Sequence, residues 1–572
     1  QIIINMVLKR ILLLLLCISF SVSAQDNRPN IILIMADDLG FGDVGFTANN
    51  TPGHTTPIQT PHLDQMASES IELLNFYSIG PVCSPTRGSF ITGRHYARFG
   101  IFAANEGVFP AEEISLARIC KEKGYQTGHF GKWHIGTLDP NHSPKPDRAY
   151  PKNFAPPWER DYDRSFVTES SVSTWDPISS KNPYYEDGVK VNINNAAERA
   201  TLEGDDSRVM MDRIIPFIEN AVASNDPFLS VVWFHAPHEP FEAGPTYKAM
   251  YSNYCEDEQN YFGCITAMDD QIGRLASKLK DLNIEDNTII LFCSDNGPEK
   301  NKPGETGGLR ERKRSLFNGG VLVPAFIKWP NKIDTPYEST FQTSVLDLLP
   351  TVAEIIDYEI PDNLPIDGAS ILPFIEGDIN QRTNPIPFVH SKKMAWIDGD
   401  YKFRINVHGE ATEAYNMITD RNETTNVISS FSDSFLNDLK EEVITWNCSA
   451  NWSYWGYDYL PEAYDPVDEE WKGLREVTCE DVPTSPLSAI ESEASIINIF
   501  PNPISDIITI NGQSKNYKIN IYNLKSVLIS SHNAGGLQTK INLSGLPSGS
   551  YIIELKDSRE KTSEFKKIFI KY

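Results

Sequence analysis

Four short apolar runs recur along the chain, and polar residues follow each of them. The runs are Asn30–Met35, Tyr125–Phe130, Phe228–Phe234 and Thr288–Cys293. Runs of this length are typical of strands that are buried on both faces of a parallel sheet. The pattern therefore predicts four interior strands of one sheet.

Helical patterns lie between these runs. The predicted helices are Leu63–Ile71, Leu116–Lys123 and Met268–Leu282. Strands and helices that alternate in this way imply an α/β sandwich around a mostly parallel sheet. We assign residues 25–375 to this large α/β domain.

The pattern changes after about residue 375, where shorter strands and turns predict a smaller α+β subdomain over 376–482. A linker over 483–495 begins with the breaker-rich sequence Pro483-Thr484-Ser485-Pro486. The remaining residues, 496–572, alternate with a period of two, as in Ser505–Ile510. This alternation predicts a small all-β module.

Residues 1–24 are predicted to be a secretory signal peptide. After Met6 come two basic residues, the apolar run Ile11–Phe20 and the small-residue cleavage site Ser21–Ala24. We assign no role to the residues before Met6. The apolar run is shorter than a transmembrane helix requires. We therefore expect no transmembrane span in the mature chain.

The overall charge limits the class of ligand. The chain has 77 acidic and 51 basic residues, which gives a net charge of −26. This balance argues against a nucleic-acid partner, since neutralising phosphates needs a basic face. An anionic substrate would have to be captured by a local group of basic residues, because the global field repels it.

Export makes disulfide bonds possible. Pairs Cys255–Cys264 and Cys448–Cys479 could each close a short loop, whereas Cys293 lies in an apolar run and is expected to be a buried thiol. The sequence does not determine the pairing. The cysteines in question are Cys120, Cys255, Cys264, Cys293, Cys448 and Cys479.

The polar clusters that follow the four runs are predicted to form one site. Ligands of open α/β sheets bind beyond the carboxyl ends of the strands, and all four clusters belong there. The clusters are Asp37-Asp38, Gly131-Lys132-Trp133-His134, His235-Ala236-Pro237-His238 and Ser294-Asp295-Asn296-Gly297.

The strongest chemical signal is Cys83-Ser84-Pro85-Thr86-Arg87. Pro85 suits the first turn of a helix, so Cys83 would lie at a helix N-terminus, where backbone N–H groups favour an anion. Arg87, four residues on, would add a positive charge on the same face. Taken alone, the motif also fits a structural cysteine beside a helix cap.

Together these motifs resemble the type I, formylglycine-dependent sulfatases of the alkaline phosphatase superfamily, in which the motif cysteine is oxidised to formylglycine. They occur in the family's order across roughly residues 28 to 375. The resemblance implies an alkaline-phosphatase-like fold and a sulfuric ester hydrolase. The matching stretches are Asp37–Gly40, Cys83–Arg94, Gly131–Gly136, Ala236–His238, Ser294–Gly297 and Gly319–Pro324.

The resemblance also implies a ligand set for one Ca²⁺ ion. Carboxylate and amide oxygens suit Ca²⁺ better than a soft metal. Individually, each of these residues could be a strand-end cap or a turn former. The implied metal ligands are Asp37, Asp38, Asp295 and Asn296, together with the modified Cys83.

In the family's mechanism, the hydrated aldehyde at Cys83 attacks sulfur, and Arg87 holds this hydrate. Lys132 corresponds to a residue that binds a sulfate oxygen, and His134 to one that later removes a proton so that sulfate leaves. Since Lys132 and His134 are two residues apart, an extended segment would point both side chains the same way.

His238 corresponds to the residue that binds sulfate and protonates the leaving oxygen. His235, three residues earlier, competes for this acid role, although the family motif favours the histidine after Pro237. Either histidine could instead be a satisfied structural residue.

Lys313 corresponds by its spacing from Gly319-Gly320 to a second sulfate-binding lysine. The segment departs from the family pattern, because Glu311-Arg312 stands where two glycines are usual and Asn318 and Leu322 replace a frequent Glu and Arg. A solvated basic run is the alternative interpretation. We expect one or more of three neighbouring residues to reach a second anionic group of the substrate, namely Arg310, Arg312 and Arg314.

The last part of the chain carries a second resemblance. Ile499–Pro503, Leu546–Tyr551 and Lys566–Ile570 are similar to a type IX secretion sorting domain. This implies a Bacteroidetes-type bacterium whose type IX machinery secretes the protein or attaches it to the cell surface, after transit through the periplasm. A carbohydrate-binding module is the alternative, but no cluster of aromatic residues supports it.

The expected function is hydrolysis of sulfate esters on a carbohydrate, such as ulvan or carrageenan fragments of algal polysaccharides. A formylglycine-generating maturation enzyme is an implied partner. One alternative is a phosphonate or phosphate monoester hydrolase of the same superfamily. The other is a non-catalytic surface protein that binds glycans through an inactive sulfatase domain. The sequence leaves open the sugar, the sulfate position, exo or endo action, and the oligomeric state.

Overall fold

A ten-stranded sheet runs through the larger part of the protein. This computed structural model describes residues 28–456 except 50, 52, 146–147, 150 and 362–363, then 458, 473–474 and 479, and between 498 and 571 the strands given below with residues 543 and 546. The predicted signal peptide (1–24) and linker (483–495) lie outside the described residues.

The strand order in the central sheet is β11-β2-β10-β9-β1-β8-β4-β5-β6-β7. Strands β9, β1, β8, β4 and β5 are parallel, whereas β10, β6 and β7 run antiparallel to their neighbours. The predicted mostly parallel sheet is confirmed. The strands are β1 (Asn30–Ala36), β2 (Ile71–Leu73), β3 (Phe76–Tyr77), β4 (Gln126–Lys132), β5 (Arg164–Thr168), β6 (Tyr185–Glu186), β7 (Val189–Lys190), β8 (Phe228–Trp233), β9 (Thr288–Ser294), β10 (Phe326–Lys328), β11 (Tyr337–Ser339) and β12 (Thr343–Ser344), of which β3 and β12 pair separately.

The described helices lie around this sheet and beside a second, smaller one. They are α1 (Gly45–Asn49), α2 (Pro61–Ser68), α3 (Cys83–Thr92), α4 (Leu116–Glu122), α5 (Ala196–Ala200), α6 (Asp206–Ser224), α7 (Pro245–Met250), α8 (Glu256–Asp281), α9 (Asn318–Val321), α10 (Leu348–Ile355), α11 (Leu372–Ile375) and α12 (Asp433–Tyr454). Short 3₁₀ helices cover Tyr96–Phe99, Pro151–Asn153, Pro157–Glu159, Val345–Asp347 and Ile428–Ser430.

Each face of the central sheet has its own apolar core. Successive residues of a strand point to opposite faces, so Leu33 and Met35 of β1 belong to one buried cluster and Ile32 and Ile34 to the other. Helices α3, α4 and α10 contribute to the first cluster, and α2, α6 and α8 to the second. Helices on both faces of a mostly parallel sheet form the predicted α/β sandwich.

Two predicted helix bounds are wrong. The helix predicted over Leu63–Ile71 ends at Ser68, and Ile71 begins β2 because it pairs with β10 and β11. The helix predicted from Met268 already begins at Glu256. The first turn of this helix is acidic, which suits the positive end of a helix dipole. Because this turn has no apolar periodicity, the hydrophobic pattern did not reveal it.

The register of the inner strands brings their carboxyl ends to one edge of the sheet. Ala36 of β1 is opposite Ser294 of β9. Met35 of β1 and Gly131 of β4 are each opposite Trp233 of β8. The polar residues that follow these strands therefore emerge side by side.

A four-stranded antiparallel sheet and helix α12 follow the central sheet. Buried residues of this second sheet, such as Phe388 and Trp396, share one apolar cluster with the first face of the central sheet. The predicted domain boundary at 375 stays a prediction. The strands are β13 (Ile386–His390), β14 (Lys393–Asp398), β15 (Tyr401–Ile405) and β16 (Ala411–Asn416).

One of the two possible disulfide bonds forms. Cys448 of α12 is bonded to Cys479, with 5.6 Å between their Cα atoms. The other possible pair is excluded, because Cys255 precedes α8 and Cys264 lies within it, and helical residues rise about 1.5 Å each, which is far beyond disulfide reach over this distance. Cys293 is a buried free thiol, as predicted.

Seven antiparallel strands make up the described part of the C-terminal segment, in two sheets of order β17-β18-β21 and β20-β19-β22-β23. Across the residues that the structure describes, no helix combines the length and apolar character needed to cross a membrane. The strands are β17 (Asn498–Phe500), β18 (Ile507–Asn511), β19 (Tyr517–Asn523), β20 (Leu528–Ala534), β21 (Gln538–Asn542), β22 (Gly549–Asp557) and β23 (Ser563–Lys571).

Candidate active site

Cys83 is the first residue of helix α3, as the motif predicts. Val82 caps the helix, and Gly93 ends it in the left-handed conformation. All ten residues of α3 are buried, so the helix N-terminus faces the interior at the edge of the central sheet. The Ser84 hydroxyl donates to the carbonyl of His134 at 2.6 Å, which ties this first turn to the segment after β4.

The two aspartates after β1 are joined to neighbouring strand ends through the backbone. The Asp37 N–H donates to the Ala236 carbonyl at 3.0 Å, and the Asp295 N–H donates to the Ala36 carbonyl at 3.1 Å. The Asp38 N–H donates to Asp295 Oδ1 at 3.1 Å. These bonds join the ends of β1, β8 and β9 into one rigid base.

The Cys83 thiol lies against both aspartates. Its Sγ atom is 3.3 Å from Asp37 Oδ1 and 4.0 Å from Asp38 Oδ1. The ligand atoms of these three residues and of His238 all lie within 4.8 Å of one another. Four groups from three segments of the chain thus lie close enough together to share one metal ion.

Asn296 completes an oxygen-rich set. Its Nδ2 donates to Asp38 Oδ1 at 2.7 Å, whereas its buried Oδ1 has no hydrogen-bond donor among the residues that the structure describes. Burial, together with the charge of Asp37, raises the pKa of Asp295 to about 6, which marks a crowded group of carboxylates. Carboxylates with an amide oxygen in need of a partner fit a hard divalent cation such as Ca²⁺.

Arg87 is completely buried beneath this cluster. Its Nη2 and Nε lie 2.8 and 3.1 Å from Asp295 Oδ2, and its Nη1 donates to the Lys132 carbonyl at 2.9 Å. The guanidinium also lies over the Trp233 ring at 5.0 Å. These contacts hold Arg87 rigidly one turn along the helix from Cys83.

Two buried lysines neutralise the aspartates. Lys132 Nζ is 2.6 Å from Asp37 Oδ2, and Lys313 Nζ is 2.5 Å from Asp38 Oδ1 and 3.8 Å from Cys83 Sγ. Lys313 therefore belongs to the cluster and is not part of a solvated basic run. Burial would raise the pKa of Asp37, but the charges of Lys132, His238 and Arg87 hold it well below its usual range.

His134 lies in the site, but in a conformation that the sequence did not predict. Strand β4 ends at Lys132, and His134 has φ 63, so the extended alternation does not continue to it. Within the described part of the chain, neither of its ring nitrogens has a hydrogen-bond partner. Burial, together with the charges of Lys132 and Arg87, lowers its pKa well below the usual value, so the ring is neutral.

The structure distinguishes the two histidines after β8. His235 is fully buried, and both of its nitrogens are engaged, by Asp206 Oδ2 at 2.9 Å and Thr168 Oγ1 at 2.7 Å. The His238 side chain is 25% exposed, and its Nε2 lies 3.7 Å from Asp38 Oδ2. Only His238 can therefore meet a ligand that enters from solvent.

The three arginines around Lys313 point to different partners. Arg310 Nη1 donates to the Glu423 carbonyl at 3.1 Å and to Tyr415 Oη at 3.2 Å. Arg312 donates to the carbonyls of Glu299 and Gly304. The Arg314 side chain is 54% exposed and pairs with Glu299.

Tight backbone packing explains the glycines that follow this loop. A Cβ atom on Gly319 would lie 2.0 Å from the Glu311 carbonyl oxygen, and one on Gly320 would lie 2.1 Å from that of Ser315. Glu311 itself has φ 63, a left-handed conformation that favours glycine. This accounts for a glycine at position 311, the first of the two that the family usually has here.

The sequence interpretation missed two residues near the site. The Ser171 hydroxyl donates to Asp37 Oδ2 at 3.3 Å, and Glu299 lies 3.8 Å from Lys313 Nζ. Ser171 closely follows β5, so the rule that identified the other polar clusters could have found it. Nothing in its spacing singles out Glu299.

Two parts of the chain match known protein families. Residues 29–358 match the sulfatase family, and residues 498–571 match the secretion system C-terminal sorting domain. N-acetylgalactosamine-6-sulfatase of Canis lupus familiaris is 29% identical over 414 residues, which are 69% of this chain and 74% of that protein. Arylsulfatase A of Homo sapiens is 29% identical over 363 residues, 61% of this chain and 68% of that protein.

Solved structures are similar over most of the chain. The crystal structure of Ps i-CgsB in complex with k-i-k-neocarrahexaose has a TM-score of 0.63 and 25% identity, and the match covers 77% of this chain and 95% of that one. PsFucS1 sulfatase from Pseudoalteromonas sp. has a TM-score of 0.62 and 21% identity over 77% of this chain and 93% of that one. The latter shows the shared fold.

Proposed function

Because this chain belongs to the sulfatase family, we propose that it hydrolyses sulfate esters of a glycan with an oxidised Cys83 as nucleophile and one Ca²⁺ ion. The observation that carries the proposal is the position of Cys83. Cys83 is the first residue of a buried helix, and its side chain lies beside Asp37, Asp38 and Lys313. A sulfate bound there would meet both the nucleophile and a fixed positive charge.

The thiol itself is a poor nucleophile in this position. Burial, together with the negative charges of Asp295 and Asp37, raises the pKa of Cys83 well above its usual value, and the thiolate is the reactive form of cysteine. Conversion to formylglycine would provide a hydrated aldehyde whose hydroxyl can attack sulfur without a thiolate. Arg87, held by Asp295, would orient this group.

The proposed ligands of Ca²⁺ are Asp37, Asp38, Asp295 and Asn296, with the modified Cys83. Bound there, the ion would supply Lewis-acid polarisation of oxygen at the reacting centre. Asn296 Oδ1 is buried without a hydrogen-bond donor among the described residues, which supports this donor set. The chain's own lysines would restrain the sulfate, with Lys132 and Lys313 each directed at one of its oxygens.

The proton transfers are assigned to two histidines. His238, partly exposed beside Asp38, would protonate the oxygen of the departing sugar. His134, neutral and without a ring hydrogen-bond partner among the described residues, would accept the proton that must be removed before sulfate leaves. Neither role requires the His134 and His238 side chains to point in the same direction.

The proposed substrate is a sulfated algal polysaccharide or its fragments, of the ulvan or carrageenan kind. Ps i-CgsB, which was solved with a neocarrahexaose, and the N-acetylgalactosamine-6-sulfatases support a carbohydrate. The sorting domain supports export through the type IX machinery to the cell surface or the medium, where such polymers are found. A maturation enzyme would oxidise Cys83 before export.

Two measurements test this proposal directly. Mass spectrometry of the tryptic peptide that contains Cys83 should show the loss of mass that accompanies conversion of the thiol to the aldehyde. Release of sulfate from defined sulfated oligosaccharides should exceed release of phosphate from matched phosphate esters. An unmodified Cys83 in active protein, or faster phosphate release, would contradict the proposal.

Removal of calcium should abolish activity. After treatment with EGTA we expect no turnover of nitrophenyl sulfate, and Ca²⁺ should restore it, because the oxygen donors are hard. Ca²⁺ should also raise the melting temperature of the stripped protein, since a ligand that binds the folded state stabilises it. Asp38→Asn should lose this thermal shift. Full activity in the stripped protein would exclude a metal role.

Removal of the C-terminal segment should leave catalysis unchanged. A chain that ends near residue 490 keeps the central sheet and every proposed site residue, and the sorting match begins at 498. We expect an unchanged kcat/KM in vitro and retention in the periplasm of the native host. A well-folded truncation without activity would show that the tail is part of the catalytic unit.

Arg314→Ala should weaken binding of charged oligosaccharides selectively. Arg314 is exposed next to the buried Lys313, so it can reach a second anionic group of a substrate. KM should rise about tenfold for a multiply sulfated oligosaccharide, the value of one charge-assisted hydrogen bond, but little for a small aryl sulfate. Arg310→Ala, whose guanidinium contacts Glu423, is the matched control and should affect both substrates equally. An equal effect of Arg314→Ala on both would exclude a substrate contact.

A further inference from the structure

We propose that Lys402 and Glu423 are positioning residues for Lys313, which they serve by anchoring the loop of residues 310–317. This inference rests on the proposed role of Lys313 in binding sulfate. Lys402 lies on β15 of the second sheet, and Glu423 follows β16. Both side chains are completely buried and form an ion pair of 3.1 Å.

Besides pairing with each other, Lys402 and Glu423 both bond to Asn318, the residue that follows the loop. Lys402 Nζ donates to Asn318 Oδ1 at 2.7 Å, and the Asn318 N–H donates to Glu423 Oε2 at 2.6 Å. The Asn318 Nδ2 donates to the Arg421 carbonyl at 2.8 Å. The backbone and side chain of Asn318 are thereby fixed by three residues of the second sheet and its following turn.

The beginning of the loop is attached to the same place. Arg310 donates to the Glu423 carbonyl, and its guanidinium lies 3.8 Å above the Phe317 ring. Arg404 of β15 lies over this ring at 4.5 Å. Both ends of the loop are therefore anchored on one surface, and Lys313 lies between them.

The loop needs such anchors because its backbone is strained. Glu311 and Arg314 have φ 63 and φ 71, and non-glycine residues in such conformations persist only where surrounding contacts hold them. These two residues flank Lys313, whose ammonium makes a 2.5 Å contact with Asp38. If the loop left this strained conformation, the Lys313 ammonium would move away from its position beside Asp38.

The pairing chemistry also favours a positioning role over simple stabilisation. A buried ion pair often stabilises no more than well-packed apolar residues would. Apolar residues at 402 and 423 would, however, leave the Asn318 N–H and Oδ1 buried without these partners. The polar groups of Lys402 and Glu423 thus satisfy Asn318 at the end of the loop, whatever they contribute to the stability of the second sheet.

The test compares Glu423→Gln and the double substitution Lys402→Met/Glu423→Leu in the full-length matured protein. The double variant removes both charges together, which avoids an unpaired buried lysine. Hydrogen exchange of the Lys313 and Arg314 amides, which donate to Pro298 and Pro81, should become faster in both variants. The control is Arg382→Met, which removes the buried partner of Asp347. Among the described residues Arg382 has no contact with this loop, so this variant should leave the exchange of the two amides unchanged.

Kinetics separate positioning from general stability. We expect kcat/KM for nitrophenyl sulfate to fall roughly 10- to 100-fold, as for a displaced binding group, and the inhibition constant of inorganic sulfate to rise in parallel. In a Lys313→Ala background the same substitutions should have almost no further effect. Additive losses in that background, or unchanged amide exchange in a folded variant, would overturn the inference. The exchange result does not depend on turnover, so it stands apart from the outcome for the proposed function.

Discussion

Cys83→Ala should have no measurable turnover of any sulfate ester, although the protein should remain folded. Alanine offers nothing that a maturation enzyme could oxidise, so the hydroxyl that attacks sulfur is missing. The fold should survive, because the side chain is small and alanine is well tolerated in a helix. Turnover on nitrophenyl sulfate and a sulfated oligosaccharide, with circular dichroism of the same samples, measures both effects.

Cys120→Ala is a matched control for this variant. Cys120 is also a buried free cysteine in a helix, so its loss removes the same atoms and should leave activity intact. Cys83→Ser should be inactive unless the maturation enzyme of the host accepts serine. Full activity of Cys83→Ala would exclude the formylglycine mechanism.

His238→Ala should make activity depend strongly on the leaving group. A sugar alkoxide needs a proton as the S–O bond breaks, whereas nitrophenolate leaves unaided. A positioned acid contributes about 10²- to 10⁴-fold where protonation matters, so kcat/KM should fall by that factor for a sulfated sugar and far less for nitrophenyl sulfate. His134→Ala should slow both substrates, since its proton transfer follows departure of the alcohol.

His235→Ala tests the alternative assignment. Its imidazole is held between Asp206 and Thr168, so its loss should lower thermal stability and affect both substrates to a similar degree. The decisive quantity is the ratio of kcat/KM between the two substrates in each variant. If His235→Ala changes this ratio and His238→Ala does not, the acid is His235.

Much of the site could be predicted because its parts are local. The apolar runs end within two residues of the strand ends, so Asp37, Lys132 and Asp295 could be placed at one edge of the sheet. The Cys83 motif contains its own helix start. Only the family resemblance, however, could assign a reaction to these residues, since each motif alone also fits a structural role.

Helix ends and backbone conformations that depend on contacts with other segments could not be predicted from the hydrophobic pattern. The helix predicted through Ile71 ends at Ser68 because two other strands pair with Ile71. The expected alternation of Lys132 and His134 fails because His134 adopts a left-handed conformation. Periodicity describes one segment at a time and carries no information about partners far along the chain.

The pattern of the chain was thus sufficient for the four inner strands of the central sheet, the edge where the site lies, and the polar residues at the ends of these strands. Contacts between distant segments distinguish His238 from His235, bury Lys313 beside Asp38, and direct Arg310 to the second sheet. The physical reason is that hydrophobic periodicity results from local backbone geometry. Burial, charge pairing and access to solvent arise only when remote parts of the chain pack together.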